Sequence, residues 1–209
     1  MESTRAEERE NLVFFGQISA AISHDLKNVL AIINEDAGLL HDFSLMAAQG
    51  MELDPERLGR VAGKIQNQVR RGDTIIKNMN RFAHSVDKAE CEVNYSELAA
   101  LVISLLTRMA SRKCVTVTLA ESGPVMGKGD PFVIQMLIAR CLENCMDCAG
   151  KDEGLSVAAA GSDGTGSVEI AGLVEEIPAE VLDGLKDIAE NAGASLKYTP
   201  QEKVLSIIF

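Results

Sequence analysis

The alternation of apolar and polar positions divides the chain into two textures. From about residue 8 to 48, Phe14, Ile18, Ala21, Ile22, Leu26, Val29, Ile33, Leu40 and Phe43 recur at three- and four-residue steps with polar residues between them. That periodicity predicts one long amphipathic helix. Gly50 supplies a stop, and Asp54-Pro55 supplies an N-cap with proline at the first helical position. A second helix is predicted to about residue 87, on a heptad seam of Leu58, Val61, Ile65, Gln68, Gly72, Ile75, Met79, Phe82 and Val86. Two long helices joined by a short turn make an antiparallel hairpin. Its apolar stripes are too wide to satisfy one another, so a second copy is expected to complete a dimeric four-helix bundle.

Near Ala89-Glu90-Cys91-Glu92-Val93 helices and strands begin to mix, which sets the expected domain boundary between residues 1–90 and 91–209. A helix over 96–112, with Ser96 as its cap, is followed by a strand over 115–119 and a Gly/Pro loop over 121–130. Asp130 caps an apolar helix over 131–149. Strands over 155–160 and 167–171 flank Gly161-Ser162-Asp163-Gly164-Thr165-Gly166, which reads as a hairpin turn. A helix over 178–191 and a last hairpin, 195–198 with 204–209, complete the pattern. The fold class expected is α+β: a helical hairpin, then an α/β sandwich with helices on one face of a sheet.

Charge narrows the partners. The net charge of −11, from 31 acidic and 20 basic side chains, argues against nucleic acid or an anionic membrane, both of which need clustered Lys and Arg. Arg70-Arg71 forms a basic doublet too small to bind a phosphate backbone, and there is no Trp to serve as a stacking platform. No apolar run approaches the ~20 residues that span a bilayer, and the first ten residues are too acidic for a secretory signal. A cytoplasmic protein is expected. Cys141, Cys145 and Cys148 share a helical face, but no Cys-x-x-Cys pair elsewhere in the chain and no nearby His completes a metal set, so these thiols are expected to pack as small hydrophobes.

The candidate chemistry lies in Ser23-His24-Asp25-Leu26-Lys27-Asn28, early in the first helix. On a helix Asn28 falls one turn beyond His24 on the same face, with Asp25 next to it in the chain. An imidazole, with an ordinary pKa of ~6.5, keeps a neutral nucleophilic nitrogen near neutral pH. His41 and His84 lack this acid-plus-amide neighbourhood, although Asp42 follows His41.

This run resembles the phosphoacceptor box of sensor histidine kinases. Cys141-Leu142-Glu143-Asn144-Cys145-Met146-Asp147 resembles the N-box of their ATP-binding domain, with Asn144 on the asparagine that helps hold Mg²⁺. The stretch from Leu185 through Gly193-Ala194-Ser195-Leu196 to Val204-Leu205-Ser206-Ile207-Ile208 resembles that domain's last helix and hairpin, a fold shared with gyrase, Hsp90 and MutL. The chain also departs from the family. Where an Asp-x-Gly-x-Gly box should read adenine, it has Ala171-Gly172-Leu173-Val174-Glu175-Glu176-Ile177-Pro178. There is no room for a lid before the final helix, and Arg140 replaces a second N-box asparagine.

Phosphoryl transfer from ATP depends on positioning the phosphates and their metal, and most of those parts are missing. The resemblance therefore implies a histidine phosphotransferase similar to the bacterial ChpT type, with a histidine-bearing bundle and a degenerate ATP-binding domain. His24 would pass phosphoryl groups between receiver-domain aspartates. Asp25 would orient the ring or accept its proton, Asn28 would steady phosphoryl oxygens or place a water, and Lys27 would pair with phosphate charge. Asn144 would be vestigial. No cofactor or metal is expected on this chain, ATP binding is expected to be lost, and Mg²⁺ would come with the receiver. Two other readings stay open: a docking module for a response regulator or kinase that carries no phosphate, and a divergent active kinase.

Overall fold

The computed structural model describes residues 2–121, 123–162 and 165–209, with side chains over the same stretches except 2–8 and 162. The chain forms two compact units: Gly16–Arg81, and the residues up to Phe15 together with Phe82–Phe209.

The first unit is the helical hairpin. α1 spans Glu2–Ala48 and α2 spans Pro55–Ala83, so α1 begins before residue 8 and α2 stops short of residue 87, where His84–Asp87 tightens into a 3-10 turn. The stop signals act as the residue types require. Gly50 takes φ +80, and the Met51 N–H donates to the Met46 carbonyl across it, which satisfies a carbonyl of the last turn. The Asp54 carboxylate accepts from the Glu56 N–H at 2.9 Å and opens α2. Ile18, Ile22, Val29 and Phe43 of α1 are buried, as is Val61 of α2. Gly72 of α2 faces Val29 of α1: a Cβ there would stand 3.4 Å from Val29 Cγ1, an ordinary packing distance. The Arg57 guanidinium lies 4.5 Å from the Phe43 ring centroid.

The second unit is a layered α/β structure. Its five-stranded sheet runs β2 (Thr116–Leu119), β4 (Gly154–Ser162), β5 (Thr165–Ala171), β7 (Val204–Ile208), β6 (Ser195–Thr199). β2 and β4 are parallel and the other pairs antiparallel. Leu155, Val157, Val168, Ile170, Leu205 and Ile207 alternate onto one buried face. Helices α3 (Tyr95–Arg112) and α4 (Pro131–Asp147) pack on it, and α5 (Ala179–Asn191) lies against α4 and β6. The opposite face carries Ser156, Ala160, Glu169 and Lys197 to solvent. β4 and β5 pair as far as Ser162 and Thr165, as a hairpin requires, while Asp163 and Gly164 lie outside the described residues.

Two readings of the sequence need correction. The 121–130 loop contains a strand, β3 (Met126–Gly129), which pairs antiparallel with β1 (Cys91–Asn94) in a small second sheet. A side chain at Gly127 or Gly166 would collide with the Tyr95 ring, which stacks on Phe209 at 4.4 Å. These glycines make room for an aromatic and do not mark a loop. The cap of α3 is Asn94 rather than Ser96: the Asn94 carboxamide oxygen accepts from the Ser96 N–H at 3.1 Å. Asp130 does cap α4, accepting from the Phe132 and Val133 N–H groups.

Phe14 and Phe82 fix the start of α1 and the end of α2 within this second unit. Their rings and that of Phe132 lie 5.7 to 5.9 Å apart, centroid to centroid. No helix among the described residues is long and apolar enough to cross a membrane.

Candidate functional site

Four of the residues singled out by sequence share less than two turns of α1 in the hairpin unit. His24, Lys27 and Asn28 are exposed and Asp25 is half-buried. At ~100° per residue, Asn28 lies ~40° from His24 around the helix and Lys27 ~60° to the other side. Asp25 stands ~100° away, toward the seam of Ile22 and Val29. An imidazole, an amide and an ammonium thus open to solvent together, with the carboxylate at the edge of the packed face.

Asn144, the fifth, lies on α4 in the other unit and lines a cavity of ≈ 380 Å³ with Met109, Arg112, Lys113, Glu143 and Asp147. The groups around it are already engaged. The Lys113 ammonium donates to the Asp147 carboxylate and, at 3.2 Å, to the Glu143 carbonyl. Arg140 pairs with Glu143 at 3.0 Å, and the Asn144 amide donates back to the Arg140 carbonyl at 2.8 Å. Fixed ammonium and guanidinium groups thus neutralise the two carboxylates lining this cavity.

Seven residues, 172–178, connect β5 to α5. Leu173 and Ile177 are buried. The Val174 and Glu175 N–H groups both donate to the Cys148 carbonyl at 2.9 Å, and Lys203 donates to the Val174 carbonyl. The connection is a strap held to the C-terminal end of α4.

His84 is a residue that sequence reasoning undervalued. Its Nδ1 lies 2.8 Å from Asp87 Oδ2, so it does have an acid partner. The i, i+3 spacing was the available signal. Both side chains are well exposed, and a pair of this kind contributes little to stability.

No protein-family model matches the chain, and no curated protein matches it. Solved structures do. A bacterial phosphotransferase is similar over 94% of this chain and 95% of its own, at 14% identity and a TM-score of 0.50. The likeness is one of fold. The histidine kinase AdeS of Acinetobacter baumannii aligns over 88% of this chain and 95% of its own, at 12% identity and a TM-score of 0.47. The histidine kinase ThkA, solved in complex with the response regulator protein TrrA, aligns over 100% of this chain and 66% of its own, at 19% identity and a TM-score of 0.45.

The thiols of α4 pack as core. Burial pushes Cys141 up to about 12 and Cys145 higher still, with the neighbouring Cys141 and Cys148 sulfurs adding to the rise at Cys145. Burial also raises Cys148, with Asp147 and Glu175 acting in the same direction and Lys113 against them. Because the folded-state values lie above the ordinary value of 9.0, the unfolded chain loses these protons first as pH rises. For Cys141 and Cys145 that contribution is complete below pH ~9 and falls by about 1.4 kcal/mol per pH unit per thiol between ~9 and ~12. Chemical unfolding followed from pH 8 to 11 should show that slope, and Cys141→Ala should flatten it relative to the parent. An unchanged slope would mean that Cys141 ionises as freely in the folded protein as in the unfolded chain.

Proposed function

We propose that this chain is a histidine phosphotransferase of the ChpT type, a homodimer that carries phosphoryl groups between receiver-domain aspartates on His24. The observation that carries the reading is the exposed imidazole on α1, with Lys27 and Asn28 flanking it one turn on and Asp25 adjacent. The similarity in fold to a bacterial phosphotransferase over nearly the whole chain agrees with it.

In the forward step the lone pair of a His24 ring nitrogen attacks the phosphorus of an aspartyl phosphate. The N–P bond forms as the P–O bond to the receiver carboxylate breaks, and the carboxylate leaves with the electron pair. Asp25 holds or takes the proton of the second ring nitrogen. Asn28 and Lys27 meet the phosphoryl oxygens, whose negative charge a Mg²⁺ held in the receiver's own acidic pocket would also neutralise. Transfer to a second receiver is the same step reversed.

The second unit does not fit a nucleotide and its metal. The carboxylates at the Asn144 cavity are paired with Lys113 and Arg140, and the Asn144 amide is tied to its own helix. The strap over 172–178 is too short for a closing lid and is bound down at Cys148. We therefore assign no ATP-dependent step to this chain. Pairing with a second copy is supported by the half-buried state of Leu26, Ile33, Leu40, Leu58, Ile65 and Met79, which share the hairpin's apolar faces.

The test uses the purified chain with labelled ATP, then with a panel of phosphorylated receiver domains. Label accepted from a receiver but not from ATP is the expected result. Label accepted from ATP alone would make the chain a kinase. No label from either, with receiver binding intact, would leave a docking module.

A further inference from the structure

The five-stranded sheet has one face under the helices and one open. Side chains alternate between the faces, so the positions between the buried Val168, Ile170, Leu205 and Ile207 belong to the open one. Charged residues make up 24% of the chain, yet on this face the described residues carry only two charges, Glu169 and Lys197. The rest are small, hydroxyl or aliphatic, such as Ala158, Ser206 and Ile208. Depletion of charge marks the centre of an interface more than it marks a solvated sheet.

The two charges are placed symmetrically. Ser206 of β7 pairs with Glu169 of β5 on one side and with Lys197 of β6 on the other. The three residues therefore form one row across adjacent strands, with the acid and the ammonium carried about 10 Å apart at the backbone. Both are exposed, and neither has a hydrogen-bond or ion-pair partner among the described residues. Together with Ser206 they line an open depression of ≈ 480 Å³.

A row of acid, serine and base can match its own copy. When two such faces are stacked about a two-fold axis parallel to β7 through Ser206, each Glu169 lies over the other copy's Lys197. The same axis sets Ile208 on Ile208 and Val204 on Val204, both half-buried in the single chain. An axis along the row would instead set acid on acid and base on base, which charge repulsion opposes. Self-complementarity of this kind is what an isologous contact requires.

We propose that the open sheet face docks a second copy of this chain, with the two-fold axis along β7 and Glu169 of each copy paired with Lys197 of the other. The patch covers three short strands, so the contact belongs to the weak, reversible class. It uses none of the hairpin residues, and it stands independently of the hairpin pairing and of the reaction at His24. Where the hairpins pair as well, two different two-fold contacts on one chain carry assembly beyond a dimer.

The experiment is sedimentation velocity of the full chain over about 10 µM to 1 mM, at low and high salt. The parent should show an association step that weakens as salt is raised. Lys197→Glu should weaken that step at least about tenfold, because each copy then sets an acid over an acid. The swapped pair Glu169→Lys with Lys197→Glu restores opposite charges across the axis and should return the step to within about threefold of the parent. Both positions are exposed, and unchanged melting temperatures will show that the variants fold. A parent without a salt-sensitive step, a step indifferent to Lys197→Glu, or a swap that fails to restore it would each overturn the proposal. A salt-insensitive step that persists in every variant belongs to the hairpins and leaves their pairing standing.

Discussion

His24→Ala will take up no phosphoryl label from any receiver that phosphorylates the parent chain, a loss of at least about 10³-fold, because it deletes the attacking atom itself. No neighbour can replace that atom. The Asp25 carboxylate would give an energy-rich mixed anhydride, and the Asn28 amide and protonated Lys27 have no available nucleophilic lone pair. The substitution is structurally mild: position 24 is exposed on a long helix, where alanine is a better helix former than histidine and surface changes stay within about 0.5 kcal/mol. Receiver binding and melting temperature should therefore match the parent. Asn28→Ala should slow transfer by about tenfold while leaving phosphohistidine detectable, since it removes an oxygen contact and not the bond that forms. Acid-labile, alkali-stable label on the parent, absent in His24→Ala, is the expected readout. Label persisting in His24→Ala would transfer the reaction to another imidazole, and the His84–Asp87 pair, with Nδ1 already held, would be the first to examine.

The largest stability effect should come from Gly172. It has φ +98, a region that side-chain-bearing residues rarely adopt, and a Cβ there would collide with the Gly154 carbonyl oxygen and stand 3.5 Å from Leu155 Cα. Gly154 pairs with Thr116 in the parallel β2–β4 ladder, so the chain cannot yield at that point without disturbing the sheet. The strap beyond would also be drawn out, with buried Leu173 and Ile177. Gly172→Ala should lower stability by about 3 kcal/mol and the melting temperature of a chain this size by about 10 °C. Gly184→Ala is the control, because position 184 lies in α5 with nothing within 4 Å of an added Cβ. It should be neutral or stabilising by up to about 1 kcal/mol. Equal effects at the two glycines would remove any special constraint from the strap.

Much of this architecture was legible because it is encoded locally. The Gly50 stop, the Asp54-Pro55 start and the Asp130 cap act within a few residues of themselves, and the structure shows each hydrogen bond that the residue types lead one to expect. The spacing of His24, Lys27 and Asn28 on one helix is local in the same sense. What was missed depends on partners distant in sequence. β3 reads as loop because Gly127 and Gly129 look like loop residues until the Tyr95 ring occupies the space beside Gly127. The α3 cap was assigned two residues late because Asn94 also belongs to β1. Asp36 escaped a reading based on apolar positions, because it is the polar member of a buried series that includes Ile22, Val29 and Phe43. Counting sevens from Ile22 would have found it.

The strand order also dictates a sequence of events during synthesis. β7 lies between β5 and β6 in the sheet, although it is the last of the strands to be made. The β5–β7 and β7–β6 pairings therefore remain open until residues 204–208 have left the ribosome. The hairpin unit, Gly16–Arg81, is continuous in sequence and needs no later segment for its own contacts. Phe14 and Phe82, by contrast, must await Phe132. A nascent chain would thus present a formed hairpin, already carrying His24, while the sheet unit still exposed the faces of β4 and β5.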